Sequence, residues 1–253
     1  MPKKTNFSLN RNQIKYIVVS AMIIDHIAWG FVDRINPYFG GTMHFIGRLT
    51  GATMAYFVGE GYQYTRSVPK YHLRLGIFAI ISWGPFVYFE YGFFPFCGES
   101  ANILTNLSQS VIFTLFLGLT AIRVWESPRI DKPIKVCLVV LICMASCIGD
   151  WAFMNVLGCL FVHVFRNDPK KKWTAFTLTY FTPNFLMITY LAIGSGLDMA
   201  LRNIFQFGVL LVPIMLRFVY NGESGSKASV HKWFFYAFYP LHLLILGFLR
   251  WGF

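Results

Sequence analysis

Nine apolar runs divide the chain, at 14–32, 44–65, 75–96, 106–124, 134–149, 151–165, 173–194, 199–217 and 233–252. A membrane-spanning helix needs about 20 mostly apolar residues, so each run reads as a candidate span. The polar stretches between them are short, and none is long enough for a soluble insertion. There is no internal repeat and no low-complexity linker. The pattern predicts one domain over 1–253: an all-α polytopic membrane protein, a helical bundle of about nine transmembrane helices.

Two of the runs are short. At 1.5 Å per residue, 134–149 and 151–165 would be about 24 and 22 Å long, against a hydrocarbon core of about 30 Å. Their hairpin, Gly149-Asp150-Trp151, is therefore expected below the outer surface, where a cavity must solvate the carboxylate. The first run follows a basic, polar N-terminus, MPKKTNFSLNRNQIK, and contains Asp25 and His26 with no small-residue cleavage site after it. It reads as a retained membrane helix, not a signal peptide.

Composition agrees with a bilayer as solvent. Hydrophobic residues are 56%, aromatic residues 19% and charged residues 13% of the chain, where soluble domains carry about 25% charged. Mean hydropathy is +0.52. A soluble enzyme, a disordered chain and a nucleic-acid-binding protein are disfavoured. The formal charge is +11, and its placement matters more than its sum. With the N-terminus inside, eighteen of the 22 basic residues fall on cytoplasmic segments, and only Arg34, Arg202 and Arg250 fall outside. That bias predicts an N-in, C-out protein of the cell (inner) membrane. Trp125, Trp173 and Trp233 at inner ends, and Trp151 and Trp251 at outer ends, fit an interfacial belt. The five cysteines, Cys97, Cys137, Cys143, Cys147 and Cys159, form no CxxC. They read as small packing residues, with neither a zinc site nor a disulfide framework indicated.

Ionisable residues inside apolar runs need a reason, because burying them in a bilayer is costly. They are Asp25, His26, Arg48, Glu60, Asp150 and His242. Counted at 1.5 Å per residue from the nearest cytoplasmic basic residue, Glu60 is about 9 Å deep, His242 about 15, His26 about 16, Asp150 about 22 and Arg48 about 27. The two histidines share a midplane depth within this ladder. Asp25 and His26 project about 100° apart, so they cannot aim at one point. An Asp25–Arg48 ion pair is expected, leaving His26 free. Tyr239 and His242, three apart, share a face. The functional reading is a buried reaction centre with a histidine general base and Arg48 stabilising developing negative charge. The structural reading makes Asp25–Arg48 a packing ion pair, His26 a partner of a carbonyl, Glu60 a snorkelling residue and Asp150 the cap of the following helix. His44, His72, His163 and His231 lie near predicted ends and receive no role. No HExxH, GxSxG or P-loop occurs, and no metal site is expected.

The segments "MIIDHIAWGF" (22–31), "IGRLTGATMAYFVGEGYQYTR" (46–66), "VIFTLFLGL" (111–119), "GDWAFMNVL" (149–157) and "FYPLHLLILGFL" (238–249) resemble the TraX family, in order and almost end to end. Trp151, Phe153 and Ser110 depart from its pattern. The family is similar to membrane acyltransferases, including acyltransferase-3 proteins and the lysosomal heparan glucosaminide acetyltransferase, and is linked to acetylation of a conjugative pilin N-terminus. The resemblance implies acyl transfer from cytosolic acyl-CoA, most simply acetyl-CoA, to an amine or hydroxyl on the outer side. The acceptor would be a peptide N-terminus, a sugar or a lipid headgroup. His26, Arg48, Glu60 and His242 match the family's functional residues. Asp25 and Asp150 join His26, Arg48 and His242 as catalytic candidates. Glu60, Tyr62, Arg66, Lys70, Arg74 and Tyr239 are candidates for acyl-CoA binding, with Lys170–Lys172 as a further basic mouth.

The alternative is a proton-coupled transporter or permease, with the same charges as its path. No repeat and no paired broken helices support that reading. A scaffold without chemistry would leave the buried ladder unexplained. The partners implied are the bilayer, acyl-CoA and the acceptor (a peptide N-terminus, a sugar or a lipid headgroup), with no nucleic acid, and homo-oligomerisation is left open.

Overall fold

The computed structural model describes residues 8–97, 102–226 and 228–252. Lys3, Lys4 and Lys227, counted above among the basic residues, lie outside them. The described chain is built from helices. α1 (Arg11–Ile27) opens on a capping box in which Asn10 and Gln13 satisfy each other's backbone N–H groups, and it continues through a π-helical turn, Ala28–Val32. α2 (Pro37–Gly47) starts with Asn36 accepting the Phe39 N–H and a proline in its first turn, the position where proline's missing donor does no harm. α3 (Leu49–Tyr64) and α4 (Val68–Tyr91) follow. α4 is capped by Ser67 at its start and by Gly92, in the left-handed region at φ 82°, at its end.

Then come the short α5 (Ile103–Asn106), α6 (Val111–Glu126), α7 (Lys132–Ala145), α8 (Ala152–Val164) and α9 (Pro169–Gly194). α10 (Leu197–Arg202), a 3₁₀ segment (Ile204–Leu210), α11 (Leu211–Phe218) and α12 (Ser229–Trp251) complete the order.

Each predicted apolar run is largely helical, apart from 92–96 and 107–110, and the all-α class is observed. Among the described residues, five stretches are long and apolar enough to cross a membrane: Arg11–Val32, Val68–Tyr91, Pro169–Gly194, Leu197–Phe218 and Trp233–Trp251. Nine were expected. The difference lies in α6, α7 and α8, of 16, 14 and 13 residues, and in the run 44–65. That run is not one helix. The chain breaks at Arg48, whose ψ of −12° departs from the helical value while its N–H still reaches the His44 carbonyl. α2 extends back to Pro37, so His44 lies in its last turn and not at its start.

The chain divides into two compact units, with boundaries inside α3, α9 and α12. The first comprises Met1–Thr53 and Thr177–Phe235. Here α2 packs against α1 and the 3₁₀ segment. Gly208 permits that approach, because a Cβ there would run into the Phe45 carbonyl. Thr50 adds a hydrogen bond from Oγ1 to the Val18 carbonyl, 2.8 Å.

The second unit comprises Met54–Phe176 and Tyr236–Phe253. α6 is its hub, packing on α4, α7 and α8. Gly118 of α6 faces Cys159 of α8 so closely that an added Cβ would lie 2.6 Å from Sγ. Cys159 is thus the buried packing residue the sequence suggested. Cys97, Cys137 and Cys147 are exposed, and all five thiols are free.

Candidate functional site

In the first unit, α2 presents Gly40, His44 and Gly47 at i−4, i and i+3, which places them on one face. The two glycines are cavities for acid side chains: a Cβ at Gly47 would collide with Asp25, and one at Gly40 with Asp33. Between them His44, almost fully buried, reaches both acids. Its Nδ1 is 2.8 Å from Asp25 Oδ1 and its Nε2 is 3.0 Å from Asp33 Oδ2. The π turn lies between Asp25 and Asp33. Its wider winding changes the rotational register, so two residues eight apart both reach His44.

Arg48 closes the cluster. Its Nη2 is 3.1 Å from Asp25 Oδ2, and its Nη1 donates to Gln206 Oε1 at 3.4 Å. The predicted Asp25–Arg48 pair is therefore present. Aromatic rings complete the surround, with Trp29 and Phe205 at centroid distances of 4.3 and 5.0 Å from the His44 ring. Phe205 also lies under the Arg48 guanidinium, 5.6 Å away. This phenylalanine also helps to wall an apolar cavity of about 440 Å³, which Phe45, Ile46 and Leu201 line as well.

His26, on the same α1, is buried and hydrogen-bonds the Met22 carbonyl. The expectation that the Asp25–Arg48 pair would leave it free is corrected accordingly. A backbone carbonyl one turn back is the nearest acceptor that a helical histidine can reach.

The other predicted residues lie in the second unit. His242 is buried, donates from Nδ1 to the Phe238 carbonyl at 3.0 Å, and stacks on Phe238. Tyr239 shares its face, with rings 5.5 Å apart, and its phenol oxygen faces the Val111 N–H at the start of α6, within the field of Asp150. Asp150 is half-buried in the α7–α8 hairpin. Its N–H bonds the Gln109 carbonyl and its own carbonyl accepts from Thr114, 2.9 Å each. The N-cap position of α8 is Trp151, at φ 63°, and not Asp150. A tryptophan in the left-handed region is strained.

The basic candidates gather around two helix starts. Arg66 and Lys70 are exposed at the head of α4, and Arg74 bonds the Tyr236 hydroxyl and lies over the Tyr71 ring. Glu60 is electrostatically coupled to Lys172, whose ammonium sits over the stacked Tyr56 and Trp173 rings. Tyr62 packs edge-on against His163, which bonds Glu126 at 2.8 Å. At the head of α9, the backbone N–H of Lys171 holds the Asp168 carboxyl below its ordinary range.

Residues 10–250 match the family described as TraX protein. The chain belongs to the TraX family. It is 29% identical over 242 residues, 95% of this chain and 96% of the relative, to a probable fimbrial assembly protein FimC, serogroup H1, of Dichelobacter nodosus. No solved structure matches it. In this TraX protein the residues sequence reading missed are His44, Asp33 and Gln206. The Gly40–His44–Gly47 spacing was a readable signal for the first, once α2 is allowed to begin at Pro37.

Proposed function

We propose that this TraX protein is a membrane acyltransferase that moves an acyl group, most simply acetyl, from cytosolic acyl-CoA to an amine or hydroxyl on the outer side of the cell membrane, in the service of fimbrial assembly. The observation that carries the reading is the buried Asp25–Arg48 pair one residue from buried His26. It sets an arginine, held by an aspartate, beside the helix that carries a titratable base. Family membership and the name of the relative support the setting.

In this reading the orientation is N-in and C-out, as the basic residues suggest. Arg66, Lys70 and Arg74 hold the phosphates of the donor, since charge-assisted bonds to phosphate need fixed cations. His26 takes the proton of the acceptor as its nitrogen or oxygen attacks the thioester carbonyl, then passes it to sulfur as the C–S bond breaks, and coenzyme A leaves as the thiol. Arg48 stabilises the oxyanion.

The test is release of free thiol from acetyl-CoA by the purified protein, with candidate peptide, sugar and lipid acceptors and mass spectrometry of the products. Acceptor-dependent thiol release with an acetylated product supports the reading. No transfer to any acceptor class, together with solute uptake by proteoliposomes, replaces it with a transporter.

A further inference from the structure

We propose that His44 is a positioning residue: held as an imidazolium between Asp25 and Asp33, it fixes the Asp25 carboxylate that in turn orients the Arg48 guanidinium. The proposal rests on the reading above in assigning Arg48 to the reacting end of the substrate.

Hydrogen-bond bookkeeping gives the protonation state. Carboxylates only accept, and a neutral imidazole has one N–H. Both ring nitrogens of His44 stand within hydrogen-bond distance of a carboxylate oxygen. A neutral ring would press a lone pair against one of those oxygens in a site with a side-chain exposure of 3%. An imidazolium donates to both. It also makes the cluster neutral, two carboxylates against two cations, which is the only cheap charge state for a buried group. Trp29 and Phe205, tilted over the ring at 42° and 41°, favour a cation there as well. The titratable and charged groups facing His44 are Asp25 and its neighbour His26 on α1, Asp33 beyond the π turn, and Arg48 at the end of α2. Asp33 is the more open acid, with a side-chain exposure of 29% against 11% for Asp25, and serves no partner in the cluster but His44. Its task is to keep the second proton on the ring.

The consequence for Arg48 is geometric. Asp25 Oδ1 accepts from both His44 and Arg48, while Oδ2 accepts from Arg48. Removing the imidazolium leaves the carboxylate tied to Arg48 alone, and the pair can turn as a body.

The experiment uses the full chain in detergent with ¹⁵N-labelled histidine and arginine, the His44 signal being assigned by its loss in His44→Gln. In the wild type, both ring nitrogens of His44 should be protonated at pH 7.5. Asp33→Asn should lower the deprotonation midpoint by about one pH unit or more, the usual effect of losing a contacting charge, while Asp33→Glu stays near the wild type. Above the lowered midpoint of Asp33→Asn, the dispersed Arg48 side-chain signal should broaden. Thioester turnover should fall over the same pH range in kcat, with the donor KM within about twofold, and Asp33→Glu should restore it.

A neutral His44 in the wild type at pH 7.5 overturns the proposal. So does an Arg48 signal that ignores the titration, or identical pH profiles for the Asn and Glu variants. A wild type without acyl transfer overturns the functional reading instead, and the nitrogen and Arg48 spectra still decide whether His44 positions the guanidinium.

Discussion

Asp25 and Arg48 meet at 3.1 Å with side chains only 11% and 12% exposed, and the carboxylate is shared with His44. Removing one member of a buried pair strands the other, at a cost of about 3–5 kcal/mol. Asp25→Asn takes the carboxylate from Arg48 and leaves His44 only Asp33, so it should lower stability more than Arg48→Gln, which leaves Asp25 its bond to His44. The double variant should be less unstable than the sum of the two. Unfolding midpoints in detergent give the order, and strict additivity would mean the pair is not coupled.

Gly47 and Gly40 are small because the acids lie where a side chain would be. Gly47→Ala and Gly40→Ala should each destabilise the protein, by about 1–3 kcal/mol for overpacking. Gly41, between them in sequence, has nothing within 4 Å of an added Cβ. Gly41→Ala should gain about 0.5–1 kcal/mol from helix propensity. Thermal unfolding of the three single variants is the measurement, and equal effects at Gly40 and Gly41 would contradict the packing.

Much of this was legible in the chain. Asp25 and Arg48 are charged residues in apolar runs, so pairing them follows from the cost of leaving either alone. The 134–165 hairpin was also legible, because its turn sits between two uninterrupted runs. His44 was hidden for a local reason. With the run read as beginning at 44, it falls at a helix end and needs no partner. Only the Asn36 cap and Pro37 carry the helix back and place His44 between two glycines of one face. The register of Asp33 depends on a π turn, which Ala28–Val32 does not announce, since no proline, glycine pair or polar residue marks it. The break at Arg48 is a tertiary effect. The residue follows a helical pattern, and its side chain is drawn to Asp25 and Gln206.

Gly118 and Cys159 make a second packing test, remote in sequence from the charges. Gly118→Ala would put its Cβ 2.6 Å from Sγ and 2.9 Å from Cβ of Cys159. A loss of about 1–3 kcal/mol is expected. Cys159→Ala removes the sulfur but not the Cβ, so Gly118→Ala in that background should be partly, not fully, restored. Unfolding of the four proteins in one detergent closes the cycle.

Lys70 allows donor binding to be separated from folding. It is exposed in the first turn of α4, where a cation opposes the helix dipole. Lys70→Glu should therefore leave stability unchanged or raise it by about 0.3–1 kcal/mol. If the donor phosphates bind there, the same variant should raise the KM for acyl-CoA while kcat changes little, because the lost contact is made equally in ground and transition states. An unchanged KM would move the donor site away from α4.

His26 is the residue assigned to proton removal, and its variants separate that role from packing. The side chain is buried and bonded to the Met22 carbonyl, so His26→Ala opens a cavity as well as deleting a base. His26→Gln keeps much of the volume and a donor for the carbonyl, but cannot titrate near neutral pH. Acid–base catalysis by a positioned group is worth about 10²–10⁴-fold. If His26 is the base, both variants should lose turnover by about that factor, with acyl-CoA binding retained, and His26→Gln should unfold close to the wild type. A purely structural histidine predicts the opposite split: His26→Gln active and His26→Ala unstable. His242→Gln is the companion measurement. His242 already spends its Nδ1 proton on Phe238, and a loss of turnover confined to that variant would transfer the base to α12.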